Sequence, residues 1–447
     1  MMTAPPHCVA LELRDVPVSD PWDTIKRGSR LISRRVGLIR HYAEGRHQAQ
    51  DPAVFTGGVL MSDLSRCLPN TQALTAGGAG DTAAAALASG IGEAVERYCA
   101  CIFDSADMVY GTSRELGDDA VPAEKLRLFS REQCERFGPR GPAYFDAHSR
   151  VRWVWGYSLT EQRPRLVPAS FVYLNYRPGK DEDSVGVSAS TGGAAGATRE
   201  EAILSGLLEV IERDAFTLAW MQRRAGRRIE IDDEEIASRV KTRLWGDRPS
   251  VDVKFFDLTT DLGIPVVLLI MRRPTEFGPL ACLGAASRLS PRQAVRKAMQ
   301  ESGQNFPLVR NLLIREKDWQ PVADFSNLTT FDYHFLTYVR RPDLVSQAFA
   351  FFEACEDRVP LSQLRDRSTG RVLGDIEEAV ACLRAAGHEV IVTDITTPDI
   401  AEIGLSVVRV IVPGLVPLNG HHLRPCLGVR RLADRSGEMN PFPHPFP

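Results

Sequence analysis

The chain contains one stretch twice, first as GGAGDTAAAALASGIGEAVER (residues 77–97) and again as GAAGATREEAILSGLLEVIER (residues 193–213), with about half of the aligned positions identical. An internal repeat constrains the whole fold, because two copies of one sequence usually build two copies of one structural unit. Each copy runs from a Gly/Ala-rich segment through Thr82 or Thr198 into a helical pattern, and threonine is a frequent helix N-cap. We therefore predict two glycine-rich loops that lead into helices and expose backbone N–H groups suited to phosphate oxygens.

Both predicted helices carry two carboxylates and one guanidinium on a single face, since positions i, i+4, i+7 and i+8 share one side of a helix. The residues of this face are Ser89, Glu93, Glu96 and Arg97 in the first copy and Ser205, Glu209, Glu212 and Arg213 in the second. Glu201 adds a carboxylate two turns before Glu209. One such helix alone is typical of a solvated surface with weak ion pairs.

The duplication changes this interpretation, because it can bring at least four carboxylates together. Clustered carboxylates repel one another and have raised pKa values unless a cation neutralises them. Mg²⁺ prefers oxygen ligands and commonly binds carboxylates together with substrate phosphates, and arginines can pair with carboxylates or grip phosphate. The repeat therefore predicts a Mg²⁺–nucleotide site formed by its two copies.

Composition and simple motifs exclude several other classes of protein. The net charge of −3 over 447 residues provides no basic field for nucleic acid or an anionic membrane. The nine cysteines include no CxxC pair, which favours reduced thiols and a cytoplasmic location. The N-terminus lacks a signal-peptide pattern, and the most apolar run, residues 264–271, is too short to span a bilayer. No GxxxxGK[ST] motif is present, and the single GxGxxA match at residues 78–83 is weak.

Helical and strand-like segments alternate irregularly, so we predict a mixed α/β (α+β) fold rather than a doubly wound parallel sheet. We expect residues 1–60 to form an N-terminal arm and residues 61–447 to form the main domain. A further helix is predicted from Pro291 to about residue 306, with proline in its first turn. Its Lys297, Glu301 and Gln304 can share one face, although such a helix by itself is most simply a surface helix.

The chain ends in NPFPHPFP, residues 440–447. Prolines at every second position impose an extended backbone without internal hydrogen bonds. A disordered tail, or a ligand for a proline-reading domain, accounts for this pattern as well as a specific role does.

These features together resemble the YcaO family. The resemblance rests on the paired SxxxExxER helices behind Gly/Ala segments, the AxxKAxxESxQ helix, VVRVIVPGLVP at residues 407–417 and the terminal PFPHPFP, and it covers about residue 60 to the end of the chain. The proline tail is similar to that of the azoline-forming branch, the ATP-dependent cyclodehydratases of thiazole/oxazole-modified peptide pathways. The resemblance to the YcaO family implies a YcaO-type fold with an internal pseudo-repeat.

The resemblance also implies an activity and the residues that serve it. A Cys, Ser or Thr side chain of a precursor peptide would attack the preceding amide, whose oxygen is phosphorylated by ATP and leaves as phosphate. Glu93, Glu96, Glu209 and Glu212 would bind Mg²⁺, and the nucleotide would be held by Arg97, Glu201, Arg213, Ser190 and Lys297. Catalytic roles fall to Glu301, Gln304 and the tail prolines Pro443, Pro445 and Pro447.

Three positions depart from the family pattern: Ala79 stands between the first glycines where lysine is common, Ala197 replaces an asparagine, and Lys297 replaces an arginine. The residues before the repeat are too few for a fused leader-binding module, so we expect a separate ubiquitin-activating-enzyme-like partner that binds the leader. A flavin-dependent azoline dehydrogenase is a further expected partner, and a homodimer is one assembly we consider. The alternatives are a YcaO enzyme that forms thioamide or amidine and a non-enzymatic scaffold of a modifying complex.

Overall fold

A computed structural model describes residues 10–45, 48, 51–65, 75–187, 189–433 and 438–446. The strands are β1 Ile39–Glu44, β2 Phe55–Met61, β3 Thr75–Gly80, β4 Val109–Gly111, β5 Val151–Ser158, β6 Arg163–Pro168, β7 Gly193–Gly196, β8 Arg227–Glu230, β9 Asp252–Asp257, β10 Val266–Thr275, β11 Gly278–Ser287, β12 Arg358–Pro360, β13 Ile391–Asp394 and β14 Ser406–Ile411. The helices are α1 Pro21–Gly28, α2 Ala83–Cys99, α3 Ser113–Leu116, α4 Arg131–Phe137, α5 Ala169–Val172, α6 Arg199–Met221, α7 Glu234–Leu244, α8 Pro291–Arg315, α9 Phe331–Arg340, α10 Val345–Ala348, α11 Ala350–Glu353, α12 Val372–Ala385, α13 Pro398–Glu402 and α14 Arg430–Ala433.

In the described residues the strands form three sheets. The smallest has the order β1-β2-β3, the second β11-β10-β9-β8-β12, and the third β4-β5-β13-β14-β7 with β6 paired to β5. All the named pairings are antiparallel except that of β8 with β12. The mixed α+β class predicted from the sequence is therefore confirmed.

Each copy of the repeat forms a strand, a tight turn and a helix: β3 leads into α2, and β7 leads into α6. The predicted N-caps are confirmed, since the Thr82 side chain accepts from the Ala85 N–H and Thr198 caps Glu201. The predicted glycine-rich loops are wrong, because these residues are strands. Glycine is required at Gly78 for close packing on the helix: a Cβ there would lie 2.1 Å from the Ala86 carbonyl oxygen.

The two copies lie in different sheets, yet their helices share one region of the molecule. β3 belongs to the three-stranded sheet and β7 to the six-stranded sheet. Helix α2 packs on β2 and β3, and it also contacts β7 and β14 of the other sheet. Helix α6 packs on β7 and β14. The polar faces of the two repeat helices are thus positioned around the edge strand β7.

The proposed boundary at residue 60 does not separate an arm from the domain. Strand β1 lies before it and strand β2 runs across it, and β2 pairs with both β1 and β3 of the repeat. Asp51, just before β2, accepts two hydrogen bonds from Arg310 of α8 at 2.7 and 2.8 Å. Strands β1 and β2 therefore belong to the same sheet as β3 of the repeat, because hydrogen-bonded strand partners cannot be divided between an arm and a domain.

Three further sequence predictions can be compared with the structure. Helix α8 begins at Pro291 as predicted but continues to Arg315, with Pro307 inside it. The seven cysteines in the described residues are all free thiols, four of them buried. Across the same residues, no helix is both long enough and apolar enough to cross a membrane.

Candidate active site

The first half of the site is formed by Glu93, Glu96 and Arg97 near the C-terminal end of α2. The Gly77 N–H donates to Glu93 Oε2 at 2.8 Å, and Arg97 Nη2 lies 3.2 Å from Glu93 Oε1. The i,i+4 spacing makes this pair possible within one helix. Glu93 is therefore held between the β3 backbone and a guanidinium of its own helix.

The second half repeats this arrangement on α6. The Gly192 N–H donates to Glu209 Oε2 at 3.2 Å. Arg213 Nε lies 3.7 Å from Glu209 Oε1 and 3.4 Å from Glu212 Oε1. Both copies thus use a backbone N–H from the adjacent strand segment and an arginine one turn later to hold the first glutamate of ExxER.

Glu96 connects the two halves. Its Oε1 would be 3.0 Å from a Cβ at Gly193, so the α2 side chain reaches β7 of the second copy. Burial raises the pKa of Glu96 to about 8, and the nearby charges of Glu209 and Glu93 add to this rise against the opposing effect of Arg97. Carboxylates from the two copies therefore repel each other across one small space, as the repeat predicted.

Helix α8 supplies a third side of the site. Burial raises the pKa of Glu212 to about 8, and the charge of Glu301 contributes to this rise. Lys297 Nζ lies 3.5 Å from Glu301 Oε1. The structure thus brings Lys297 and Glu301 to the repeat helices. Gln304 is partly buried on the same helix but has no described hydrogen bond or ion pair with the cluster.

The donor set fits Mg²⁺ bound together with phosphate oxygens rather than by protein alone. Within the described residues, no group of three or more His, Cys, Asp or Glu side chains is placed so that it could hold a metal ion. Glu212 Oε1 is nevertheless buried and accepts no hydrogen bond from the described residues, and two carboxyls have strongly raised pKa values. A divalent cation would neutralise this repulsion, and Mg²⁺ usually keeps several non-protein oxygen ligands.

Two residues predicted to bind the nucleotide, Glu201 and Ser190, accept hydrogen bonds from other parts of the protein. The Glu201 carboxylate closes a capping box with Thr198 and also accepts from the Ser19 N–H at 2.7 Å. It lies at the start of α6 without a described contact to the cluster, because capping holds it at the helix terminus. Ser190 meets the site through its carbonyl oxygen, which accepts from the Gly193 N–H at 2.8 Å.

Sequence reasoning missed Arg409 on β14. Its guanidinium is buried beside Glu96 and Glu209, and burial lowers the pKa of Arg409 to about 10 despite both carboxylates. A signal was present, since a lone arginine interrupts the apolar run VVRVIV, and a charge buried in such a strand requires partners.

The C-terminal tail is packed into the protein, so a disordered tail is excluded for residues 442–446. Side chains donate to three successive backbone carbonyls: Trp220 Nε1 to Phe442 at 3.0 Å, Tyr338 Oη to Pro443 at 2.5 Å, and His334 Nδ1 to His444 at 3.2 Å. A proline-rich segment offers mainly acceptors, which explains this set of donors.

The end of the tail reaches the carboxylate site. The Arg213 guanidinium lies 4.2 Å from the centre of the Phe446 ring, and Phe446 also packs on Phe216 of α6. Pro443 and Pro445 are buried, whereas Pro447 lies outside the described residues. Arg213 therefore contacts both the carboxylates and the tail.

The two ExxER motifs, at residues 93–97 and 209–213, fall within a region that matches a known protein family. A family model described as YcaO cyclodehydratase, binding ATP and Mg²⁺, matches residues 77–416. The chain belongs to the YcaO family. ATP and Mg²⁺, the predicted cofactors, are those of this family.

Sequence relatives are similar over most of their length. An uncharacterized protein of Methanothermobacter thermautotrophicus is 30% identical over 351 residues, covering 76% of this chain and 80% of the relative. An uncharacterized protein from the tfuA 3′ region of Rhizobium leguminosarum bv. trifolii is 28% identical, covering 81% of each.

Solved structures of heterocyclases share the fold. A heterocyclase in complex with substrate and cofactor has a TM-score of 0.76 and 28% identity, covering 98% of this chain and 59% of its own. The heterocyclase TruD has a TM-score of 0.67 and 25% identity, with 98% and 55% covered. This chain thus spans somewhat more than half the length of these heterocyclases. YcaO from Methanopyrus kandleri, bound with AMPPCP and Mg²⁺, has a TM-score of 0.63 at 22% identity, covering 89% of this chain and 91% of its own.

Proposed function

We propose that this protein is an ATP-dependent cyclodehydratase that converts Cys, Ser or Thr residues of a ribosomally made precursor peptide into thiazolines or oxazolines. The observation that carries the proposal is the insertion of the proline-rich tail against Arg213, which joins the carboxylate site to an element resembling that of the azoline-forming branch. The fold similarity to two heterocyclases supports it.

The residues divide into two tasks in this proposal. Glu93, Glu96, Glu209 and Glu212 would hold Mg²⁺, whose positive charge would offset the repulsion among the four carboxylates. ATP supplies the phosphoryl group that makes the amide oxygen a leaving group. Phosphoryl transfer requires mainly positioning and charge neutralisation, and this chain's acidic residues and arginines are suited to both.

Helix α8 and the tail would act on the peptide rather than on the metal. Glu301 is placed beside Glu212 and paired with Lys297, so it could exchange a proton with the attacking side chain. The backbone carbonyls of Pro443 and His444 accept hydrogen bonds from buried side chains, and this part of the tail could align the peptide amide with the phosphate. Gln304 and Pro447 keep their proposed catalytic roles as hypotheses.

The proposal includes partners. A precursor peptide is the substrate, and a leader-binding partner would deliver it; a flavin-dependent dehydrogenase could then oxidise azolines to azoles. These partners follow from the family resemblance, and the structural neighbour solved as a heterocyclase in complex with its substrate supports the first of them.

The test is to incubate the purified protein with its partner, ATP, Mg²⁺ and a co-encoded Cys/Ser/Thr-rich peptide. The peptide should lose one water mass for each ring formed while phosphate is released. Glu209→Gln should abolish both, because it removes a central charge of the metal site. Glu235→Gln is the matched control, since within the described residues this exposed glutamate pairs with Arg239 and Arg292 and with no residue of the carboxylate site.

Other results would point to the alternatives. A sulfur-for-oxygen mass change, or addition of an amine with loss of water, would identify a thioamide- or amidine-forming enzyme that uses the same ATP site. Unchanged product with Glu209→Gln would identify a scaffold. No ATP-dependent mass change in any co-encoded peptide would refute enzymatic activity.

A further inference from the structure

Arg409 uses all three of its guanidinium nitrogens on backbone carbonyls of two other segments. Nε donates to Phe171 of α5 at 3.0 Å, Nη1 to Ser190 at 2.6 Å, and Nη2 to Ala189. The residue is only 5% exposed. A buried guanidinium held in this way is fixed in position, because its planar fork is anchored through every nitrogen.

The segment that Arg409 holds leads directly to the carboxylates. After Ser190 the chain continues to Gly192, whose N–H donates to Glu209, and to Gly193, which lies against Glu96. A Cβ at Gly193 would be 3.0 Å from Glu96 Oε1 and 3.3 Å from Arg409 Nη1. Displacement of residues 189–193 would therefore change the separation of Glu96 and Glu209.

Arg409 also differs from the other basic residues that lie next to the site carboxylates. Arg97, Arg213 and Lys297 each pair with a carboxylate of the site, so a phosphate could compete for them. Each nitrogen of Arg409 instead donates to a backbone carbonyl, so this residue holds the backbone rather than a phosphate. Its charge nevertheless lies close enough to oppose the repulsion between Glu96 and Glu209.

We propose that Arg409 is a positioning residue: it fixes residues 189–193 on β14 and thereby sets the spacing of Glu96 and Glu209 across the two half-sites. The proposal rests on the function proposed above, since that spacing matters only if the carboxylates bind a metal–nucleotide complex. Residues that orient metal ligands typically alter metal affinity about 10- to 100-fold when they are substituted.

The test measures binding of Mn²⁺ with AMPPCP, by calorimetry and by the electron paramagnetic resonance signal of free Mn²⁺. Arg409→Lys and Arg409→Met should each weaken binding about tenfold or more, because lysine keeps the charge but cannot reproduce the three fixed donors. Gly193→Ala keeps every donor and carboxylate and adds a methyl group between Glu96 and Arg409, and it should weaken binding about threefold or more.

A matched control separates positioning from general stability. Arg165→Met removes another buried arginine, which pairs with Glu389, and should lower Tm while leaving Mn²⁺–AMPPCP affinity within about twofold. Equal losses in this control would overturn the inference, as would parent-like affinity in both Arg409→Lys and Gly193→Ala. If Arg409→Met does not fold, those two variants decide. A parent protein that binds no Mn²⁺–AMPPCP would refute the proposed function itself.

Discussion

Glu212→Gln should make the ligand-free protein more stable and the nucleotide-bound protein less stable. Glu212 is buried beside Glu301 and Glu209, and its pKa rises from 4.5 to about 8. At pH 7 the folded protein must keep a proton on a group that is ionised in the unfolded chain. At this pH the difference between the folded-state and unfolded-state pKa lowers the free energy of unfolding by about 3 kcal/mol, since one pKa unit corresponds to about 1.4 kcal/mol.

The substitution removes this penalty but also the pairing of Glu212 with Arg213. We therefore expect a net stabilisation of about 1–3 kcal/mol. For a chain of this size that is a rise in Tm of about 1–3 °C. In the presence of Mg²⁺ and AMPPCP at about 1,000 times its Kd, the parent should gain about 4 kcal/mol, which exceeds the variant's advantage, whereas the variant should gain much less, so the order of the two Tm values reverses.

The pH dependence of this stabilisation has a definite sign. Because the folded-state pKa is raised, the penalty is absent below about pH 4.5, grows as pH rises, and levels off above about 8. The Tm advantage of Glu212→Gln, measured by scanning calorimetry without ligand, should follow the same course. Glu235→Gln, at an exposed pair, should show none. A ligand-free variant that is no more stable than the parent at pH 8, or one that gains as much from nucleotide, would refute this reasoning.

Four other predictions follow from individual contacts and from burial. Gly78→Ala should destabilise the fold by about 3 kcal/mol or more, since its Cβ would strike the backbone of α2, whereas Gly92→Ala, with open space around it, should be neutral or slightly stabilising in urea unfolding. Tyr338→Phe leaves a buried carbonyl of the tail without its donor and should lower the free energy of unfolding by about 1–3 kcal/mol. Phe446→Ala should reduce ring formation while AMPPCP still binds. Equal loss of ring formation and of AMPPCP binding would contradict a specific role for the tail. Burial lowers the pKa of His444 from 6.5 to about 3. Because the folded protein keeps this imidazole neutral, its free energy of unfolding should fall as the pH drops below about 6.5. Chemical denaturation across pH should detect this decline, and the decline should be smaller in His444→Gln.

The sequence was sufficient where the structure depends on local spacing. The ExxER spacing placed Glu93, Glu96, Glu209 and Glu212 on two helix faces, and Thr82 marked a helix start, because helical geometry fixes both without reference to the rest of the chain. The duplication then indicated that the faces meet, which the position of Glu96 against β7 supports.

The sequence was misleading where residue type alone cannot distinguish two environments. Glycines suit a phosphate loop and a strand packed closely on a helix equally well, and only the approach of Gly78 to α2 separates them. The Thr198–Glu201 spacing is that of a capping box, so the structural role of Glu201 could have been recognised.

Long-range contacts were out of reach of the sequence. Arg409 finds its carbonyl partners 219 to 238 residues away, and the donors for the tail come from α6 and α9. These contacts depend on tertiary packing that no local pattern encodes.

The proposed chemistry depends on the fate of one atom, since the amide oxygen of the precursor must leave as phosphate. Its fate can be followed by placing a heavy oxygen isotope in the carbonyl that precedes the reacting Cys, Ser or Thr, adding ATP, Mg²⁺ and the partner protein, and analysing the released phosphate by mass spectrometry. We predict one isotope atom in phosphate for each ring formed. Unlabelled phosphate released alongside ring formation would contradict the proposed mechanism.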